Sequence, residues 1–188
     1  MNFLAHLWLA DRSATSMAGA VLGDVVRGAD LSMYPPDIAA GIRLHRRIDA
    51  ATDRHPQVVA ARVGFASGQR RYAGIVLDLV CDHLLARDWP AHAGEPLSAF
   101  CQRAAGEVAA AGVWFTQAGA RAPEAAGFAR LLQSYAAPAG IDHAVRRVAS
   151  RLRQPQGLVD AAADWPSVAS SFRAALPELL RDLAALTP

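Results

Sequence analysis

The chain has 188 residues, 53% of them hydrophobic, and a formal net charge of +2. This length favours one domain with its own core, and the hydrophobic content excludes a disordered chain. The small net charge gives no support for nucleic-acid binding, and no apolar run is long enough to span a membrane. The first residues, Met-Asn-Phe-Leu-Ala-His, lack the charged start of a signal peptide, so we expect a cytoplasmic protein.

Apolar residues recur at spacings of three and four, and alanine is abundant, so we predict an all-α protein. Glycine and proline mark the ends of the helices. The predicted helices of the first half cover residues 2–10, 17–27, 35–53, 57–66 and 69–88. Those of the second half lie near 96–111, 123–135, 140–153 and 165–186, with a loop over 112–122.

We predict that residues 1–188 form a single helical bundle. Five of the six histidines lie in the first half. The chemistry is therefore expected within residues 2–89, with 95–188 serving as helical scaffold or substrate wall.

The segment Ile75–Leu85 combines eight apolar residues with Asp78, Asp82 and His83. Residues four apart share one face of a helix, so the two carboxylates lie on one stripe. Burial of an unpaired carboxylate costs several kcal/mol, so we expect a cation beside this stripe.

Three further polar residues lie in apolar surroundings. His6 lies in a short apolar helix, where a histidine bonded to the backbone is the simpler interpretation. Asp24 lies between pairs of apolar residues and can either pair with Arg27 or bind a metal. His45 shares a stripe with Asp49, and its spacing fits a surface ion pair as well as a functional site.

One bound divalent cation would neutralise several of these charges together. Imidazole and carboxylate ligands suit Mn²⁺, Fe²⁺ or Mg²⁺, and such an ion favours phosphoester hydrolysis. Arginines are suited to clamp phosphate oxygens. We predict this role for four arginines near Asp24 and His45, namely Arg27, Arg43, Arg46 and Arg47.

Four segments together resemble the acyl carrier protein phosphodiesterases, also called acyl carrier protein hydrolyases. They are Asn2–Ala10, Gly23–Gly28, Pro35–Asp49 and Leu77–Leu85. The resemblance implies an all-helical relative of the HD-domain metal-dependent phosphohydrolases that uses Mn²⁺. An HD site reads His-Asp, whereas this chain has Asp82 followed by His83.

Carried over by motif position, the resemblance implies a metal centre made of His6, Asp24, His45, Asp78, Asp82 and His83. Among these, Asp24, His45, Asp82 and His83 are the predicted catalytic residues. The implied reaction removes 4′-phosphopantetheine from the serine of holo-acyl carrier protein.

The carrier is a small acidic protein, and six arginines are candidates for a basic surface that attracts it: Arg43, Arg46, Arg47, Arg54, Arg70 and Arg71.

Two alternative functions stay open. The same site can serve a nucleotide or another small phosphoester. Alternatively, the chain is a non-catalytic helical module that binds an acidic protein.

Overall fold

Helices account for all the regular structure of residues 2–186, the part of the chain that the computed structural model describes. No strand occurs in this range, and the all-α prediction is confirmed. Trp89–Ala91 forms a 3₁₀ turn. The described residues form twelve α-helices: α1 (Phe3–Arg12), α2 (Met17–Leu22), α3 (Pro36–Arg54), α4 (Pro56–Val63), α5 (Arg70–Arg87), α6 (Leu97–Ala110), α7 (Gly112–Gln117), α8 (Ala125–Ser134), α9 (Pro138–Ala149), α10 (Pro155–Ala161), α11 (Trp165–Phe172) and α12 (Leu176–Ala184).

Helix α5 is central: it packs against α1, α4, α9, α10 and α11. Buried apolar side chains from Leu4 to Leu183 form one continuous core, as a single helical domain requires.

The predicted domain also includes Met1, Thr187 and Pro188, which lie outside the described residues. The HD-like architecture stays a prediction. Over residues 2–186, every helix is too short or too polar to cross a bilayer.

Several helix boundaries differ from those predicted. Helix α2 ends at Leu22, because a turn begins at Gly23 and carries Asp24. The predicted loop over 112–122 contains α7, which buries Phe115. The predicted helix 165–186 is two helices, since Pro177 has no N–H to donate to the carbonyl four residues earlier. Helix α10 was not predicted from the sequence.

Two glycines let the backbones of α2 and α3 touch. A Cβ on Gly19 would lie 2.4 Å from the carbonyl oxygen of Ile38. A Cβ on Gly41 would lie 2.5 Å from the carbonyl oxygen of Ser16. Ser16 also fixes the start of α2, because its hydroxyl accepts a hydrogen bond from the N–H of Gly19 at 3.1 Å. The crossing holds the end of α2 against the middle of α3.

Asp82 joins α5 to the start of α1. Its carboxylate oxygens accept hydrogen bonds from the backbone N–H groups of Leu4 at 2.8 Å and Ala5 at 3.0 Å. These amides lie in the first turn of α1, where N–H groups have no partner within the helix. The fully buried Asp82 therefore caps a neighbouring helix.

We expect Gly41→Ala to lower the free energy of unfolding by about 2 kcal/mol, because the new methyl group overpacks the α2–α3 crossing. Urea denaturation measures the change. The matched control is Gly106→Ala in α6, where a Cβ meets nothing within 4 Å. There alanine should stabilise by about 0.5–1 kcal/mol. Equal effects of both substitutions would contradict the tight crossing.

We expect Asp82→Ala to lower the free energy of unfolding by about 3 kcal/mol, because two buried N–H groups lose their acceptors. Asp82→Asn keeps one acceptor oxygen and should lose roughly half as much. Thermal and urea denaturation of both variants provide the measurement. A wild-type melting curve for Asp82→Ala would show that the cap contributes nothing.

Candidate functional site

Two histidines and one aspartate bring three possible metal-ligand atoms together, all within 4.8 Å of one another. His6 comes from α1, whereas His45 and Asp49 lie one turn apart on α3. The Nε2 of His6 lies 3.0 Å from Oδ1 of Asp49, and the Nε2 of His45 lies 3.0 Å from Oδ2. Both imidazoles therefore share one carboxylate.

Local packing fixes the two rings. They stack with centroids 3.9 Å apart and an angle of 20° between their planes. Gly23 lies against His45, and a Cβ there would come within 2.3 Å of the His45 ring. The absence of a side chain at Gly23 thus makes room for the imidazole.

Asp24 borders this group from the turn after α2. Its Oδ1 lies 3.4 Å from the Nε2 of His45, and its side chain is 55% exposed. The alternative ion pair with Arg27 does not occur among the described residues. The structure thus brings three of the predicted site residues together, namely His6, Asp24 and His45.

Asp49 was missing from the predicted site. Its position four residues after His45 was visible in the sequence, but the same spacing also fits a surface ion pair. The contact with His6, 43 residues away in sequence, distinguishes the two interpretations. It also excludes the simpler interpretation of His6 as a histidine bonded only to backbone.

The protonation of the two histidines differs. Burial lowers the pKa of His45, but the hydrogen bonds and charges of Asp24 and Asp49 outweigh burial and raise that pKa to about 9. Burial lowers the pKa of His6 to about 4, with the nearby His45 acting in the same direction. Burial raises the pKa of Asp49, yet hydrogen bonds from both histidines hold it well below its usual range. At neutral pH the two histidines therefore carry one positive charge between them, on His45.

The chemistry of the donors fits a divalent metal ion. Two imidazoles and a carboxylate, with Asp24 adjacent, form the mixed nitrogen and oxygen set that suits Mn²⁺ or Fe²⁺. The Nδ1 of His45 is buried without a hydrogen-bond partner within residues 2–186, so the described chain does not fully satisfy this ring. Two carboxylates facing one imidazolium leave a net negative charge at the site, and this charge favours the binding of a cation.

Asp78 and Asp82, the carboxylates of α5, are not among the three residues whose ligand atoms lie within 4.8 Å of one another. Burial raises the pKa of Asp78, and the negative charge of Asp49 acts in the same direction. Burial likewise raises the pKa of Asp82 to about 7, against the hydrogen bonds it accepts from α1. The observed contacts of Asp82 are those of a helix cap, and a role in metal binding stays a prediction.

His83 faces a different part of the fold. Its Nδ1 lies 2.7 Å from the carbonyl oxygen of Tyr135, and its ring meets Trp165 edge to face. Consecutive residues on a helix point about 100° apart, which separates His83 from Asp82. Within the described range, no hydrogen bond or ring contact joins His83 to His6 or His45.

The four arginines predicted to bind phosphate lie on or near α3. Arg27, Arg43 and Arg47 are exposed. Arg46 donates a hydrogen bond from Nη2 to the carbonyl oxygen of Val26 at 2.8 Å, which ties the turn carrying Asp24 to α3. Phosphate binding by these side chains stays a prediction.

Comparison with known proteins agrees with the resemblance read from the motifs. The model of a family described as acyl carrier protein phosphodiesterase matches residues 1–183. A protein of this name from Escherichia coli (strain K12 / DH10B) is 52% identical over 89 residues, which are 47% of this chain and 46% of the relative. Its namesake from Salmonella agona (strain SL483) is 47% identical over 110 residues, 58% of this chain and 57% of the relative.

These alignments span about half the length of the curated relatives. The comparison with solved structures found no significant match. The family match, in contrast, extends over nearly the whole chain and thus over every helix described above except the last residue of α12. The chain belongs to the acyl carrier protein phosphodiesterase family.

Proposed function

We propose that this chain hydrolyses the phosphodiester between 4′-phosphopantetheine and the serine of holo-acyl carrier protein. The products are apo-acyl carrier protein and 4′-phosphopantetheine. One observation carries the proposal: His6, His45 and Asp49 converge on one point in a chain that belongs to this family.

We further propose that these residues hold a divalent metal ion, with Mn²⁺ as the first candidate and Mg²⁺ or Fe²⁺ as alternatives. When bound, such an ion supplies Lewis-acid polarisation of a phosphoryl oxygen and activation of water. The support is the donor set itself, because three ligand atoms within 4.8 Å of one another lie on two packed helices. Rigid helices hold such donors more precisely than loops do.

The protein residues would divide the remaining tasks by exposure. His6 and His45 are buried and fix the inner side of the site, whereas Asp24 and Asp49 are partly exposed. In the proposed hydrolysis, water adds to phosphorus, the bond from phosphorus to the serine oxygen breaks, and that oxygen takes a proton. Asp24 is the side chain best placed to contact the substrate or relay this proton.

An acidic carrier would approach the exposed arginines of α3. Arg43 and Arg47 are solvent-exposed on the helix that carries His45 and Asp49. Positive charge on the helix that carries His45 and Asp49 would attract an acidic protein and orient it during the encounter. The proposed surface also includes Arg54, Arg70 and Arg71, which are exposed as well.

We expect Asp49→Ala to reduce release of 4′-phosphopantetheine from holo-carrier by about 100-fold or more, because both histidines lose their shared partner. Mass spectrometry of the carrier with Mn²⁺, with and without chelator, measures the reaction. The control is Asp37→Ala, an exposed aspartate at the start of the same helix, which should retain activity.

Three results would contradict the proposal. If the mass of the carrier stays unchanged with the wild-type protein and Mn²⁺, the proposed reaction is wrong. Turnover of free nucleotides without turnover of holo-carrier would favour the small phosphoester. Absence of Mn²⁺ binding, together with binding of the intact carrier, would favour the non-catalytic module.

We expect each bound Mn²⁺ to release about one proton at pH 7, because His45 must lose its proton to act as a ligand whereas His6 is already neutral. Apparent affinity should therefore rise about tenfold per pH unit between pH 6 and 8, below the His45 pKa of about 9. Calorimetry in buffers of different ionisation enthalpy counts the protons. Equal binding enthalpies in all buffers would contradict a protonated His45 as ligand.

A further inference from the structure

We infer that a cavity beside Asp24 binds the 4′-phosphopantetheine arm of the substrate, an inference that rests on the proposed function. The cavity has a volume of about 650 Å³ and is formed by the start of α1, the turn after α2, and helices α8 and α9. Ligand sites for small molecules commonly have volumes of roughly 300–1,000 Å³.

Asp24 connects this cavity to the candidate metal centre. It lines the cavity, and its carboxylate lies 3.4 Å from the Nε2 of His45. His45 in turn contacts Asp49 at 3.0 Å. A phosphate bound at the candidate metal centre would therefore lie directly beside the cavity. The group attached to that phosphate could extend into the cavity.

The cavity wall carries three arginines that form no ion pair with a carboxylate of the described residues. Three arginines line it, namely Arg121, Arg147 and Arg151. Within residues 2–186, no carboxylate lies at ion-pair distance from any of the three. The acidic Glu124 in the same wall is already engaged, because its two oxygens accept hydrogen bonds from the N–H groups of Ala126 and Gly127.

Arg147 is the most informative of these arginines. Its Nε is buried and has no hydrogen-bond partner among the described residues. Its Nη2 donates a long hydrogen bond, 3.4 Å, to the hydroxyl of Tyr135, and its guanidinium lies 5.7 Å from the centre of the Phe3 ring. A half-buried guanidinium with unused donors is suited to bind phosphate oxygens.

Apolar side chains complete the wall, among them Phe3, Val25, Phe128 and Leu131. A flexible arm with methyl and methylene groups and a phosphate at one end matches this combination of apolar surface and arginine. The phosphate end would lie toward Asp24 and Arg147. The rest of the arm would follow the apolar wall of α8.

Calorimetric titration of 4′-phosphopantetheine into the chelator-treated protein tests the inference without relying on bound metal. We expect Arg147→Gln to weaken binding by about 10- to 100-fold, since a charge-assisted hydrogen bond is lost. Pantetheine without its phosphate should bind both proteins equally. The matched control is Arg130→Gln, an exposed arginine on α8 outside the cavity, which should bind like the wild type.

A second variant tests the apolar wall. Leu131→Trp should fill part of the cavity and weaken both 4′-phosphopantetheine and pantetheine. Thermal melting verifies that each variant folds, and if Arg147→Gln melts early, the exposed Arg121→Gln and Arg151→Gln replace it.

The outcomes separate the inference from the proposed function. If the wild type cleaves holo-carrier while Arg147→Gln and Leu131→Trp bind and cleave normally, the cavity assignment is overturned and the proposed function stands. If the wild type neither cleaves holo-carrier nor binds 4′-phosphopantetheine, both fail. Equal affinity for inorganic phosphate or adenosine monophosphate, with the same response to both variants, would overturn the assignment to the pantetheine arm.

Discussion

The contact between the backbones of α2 and α3 is the constraint on which the candidate site depends. Gly19 and Gly41 lie where any side chain would collide with the opposite backbone. Because the helices touch, the turn at the end of α2 comes to rest on the middle of α3, and Gly23 lies directly against the His45 ring. Asp24 then has its carboxylate at the edge of the imidazole. Small residues at this crossing therefore determine the positions of two groups that could contact a metal or substrate.

The position of His6 depends on a different buried interaction. Asp82 from α5 holds the first turn of α1, and His6 follows directly after the two bonded residues. Desolvation of this carboxylate is unfavourable, as its raised pKa indicates. The two hydrogen bonds from α1 and the positive end of that helix offset part of the cost. Asp82, one of the predicted metal-centre residues, thus holds the helix that carries His6.

The sequence predicted the helical class well because the spacing of apolar residues repeats along the chain. It did not predict the break before α12, although Pro177 was visible, because proline is also compatible with a kinked helix. In the site, spacing identified residues on one face but not which face meets another helix. Asp82 and His83 are neighbours in sequence and contact different helices, while Asp49 needed its contact with His6 to be distinguished from a surface ion pair.

The exposure of these side chains has a consequence for how quickly the proposed metal ion could enter and leave. The imidazoles of His6 and His45 are 2–3% exposed, whereas the carboxylates of Asp49 and Asp24 are 41% and 55% exposed. An incoming hydrated cation would therefore meet oxygen ligands first and exchange its water for nitrogen ligands last. Long-range attraction to the carboxylates would speed the first step and would weaken as salt is added. The slower second step, at the buried rings, would set how long the ion stays.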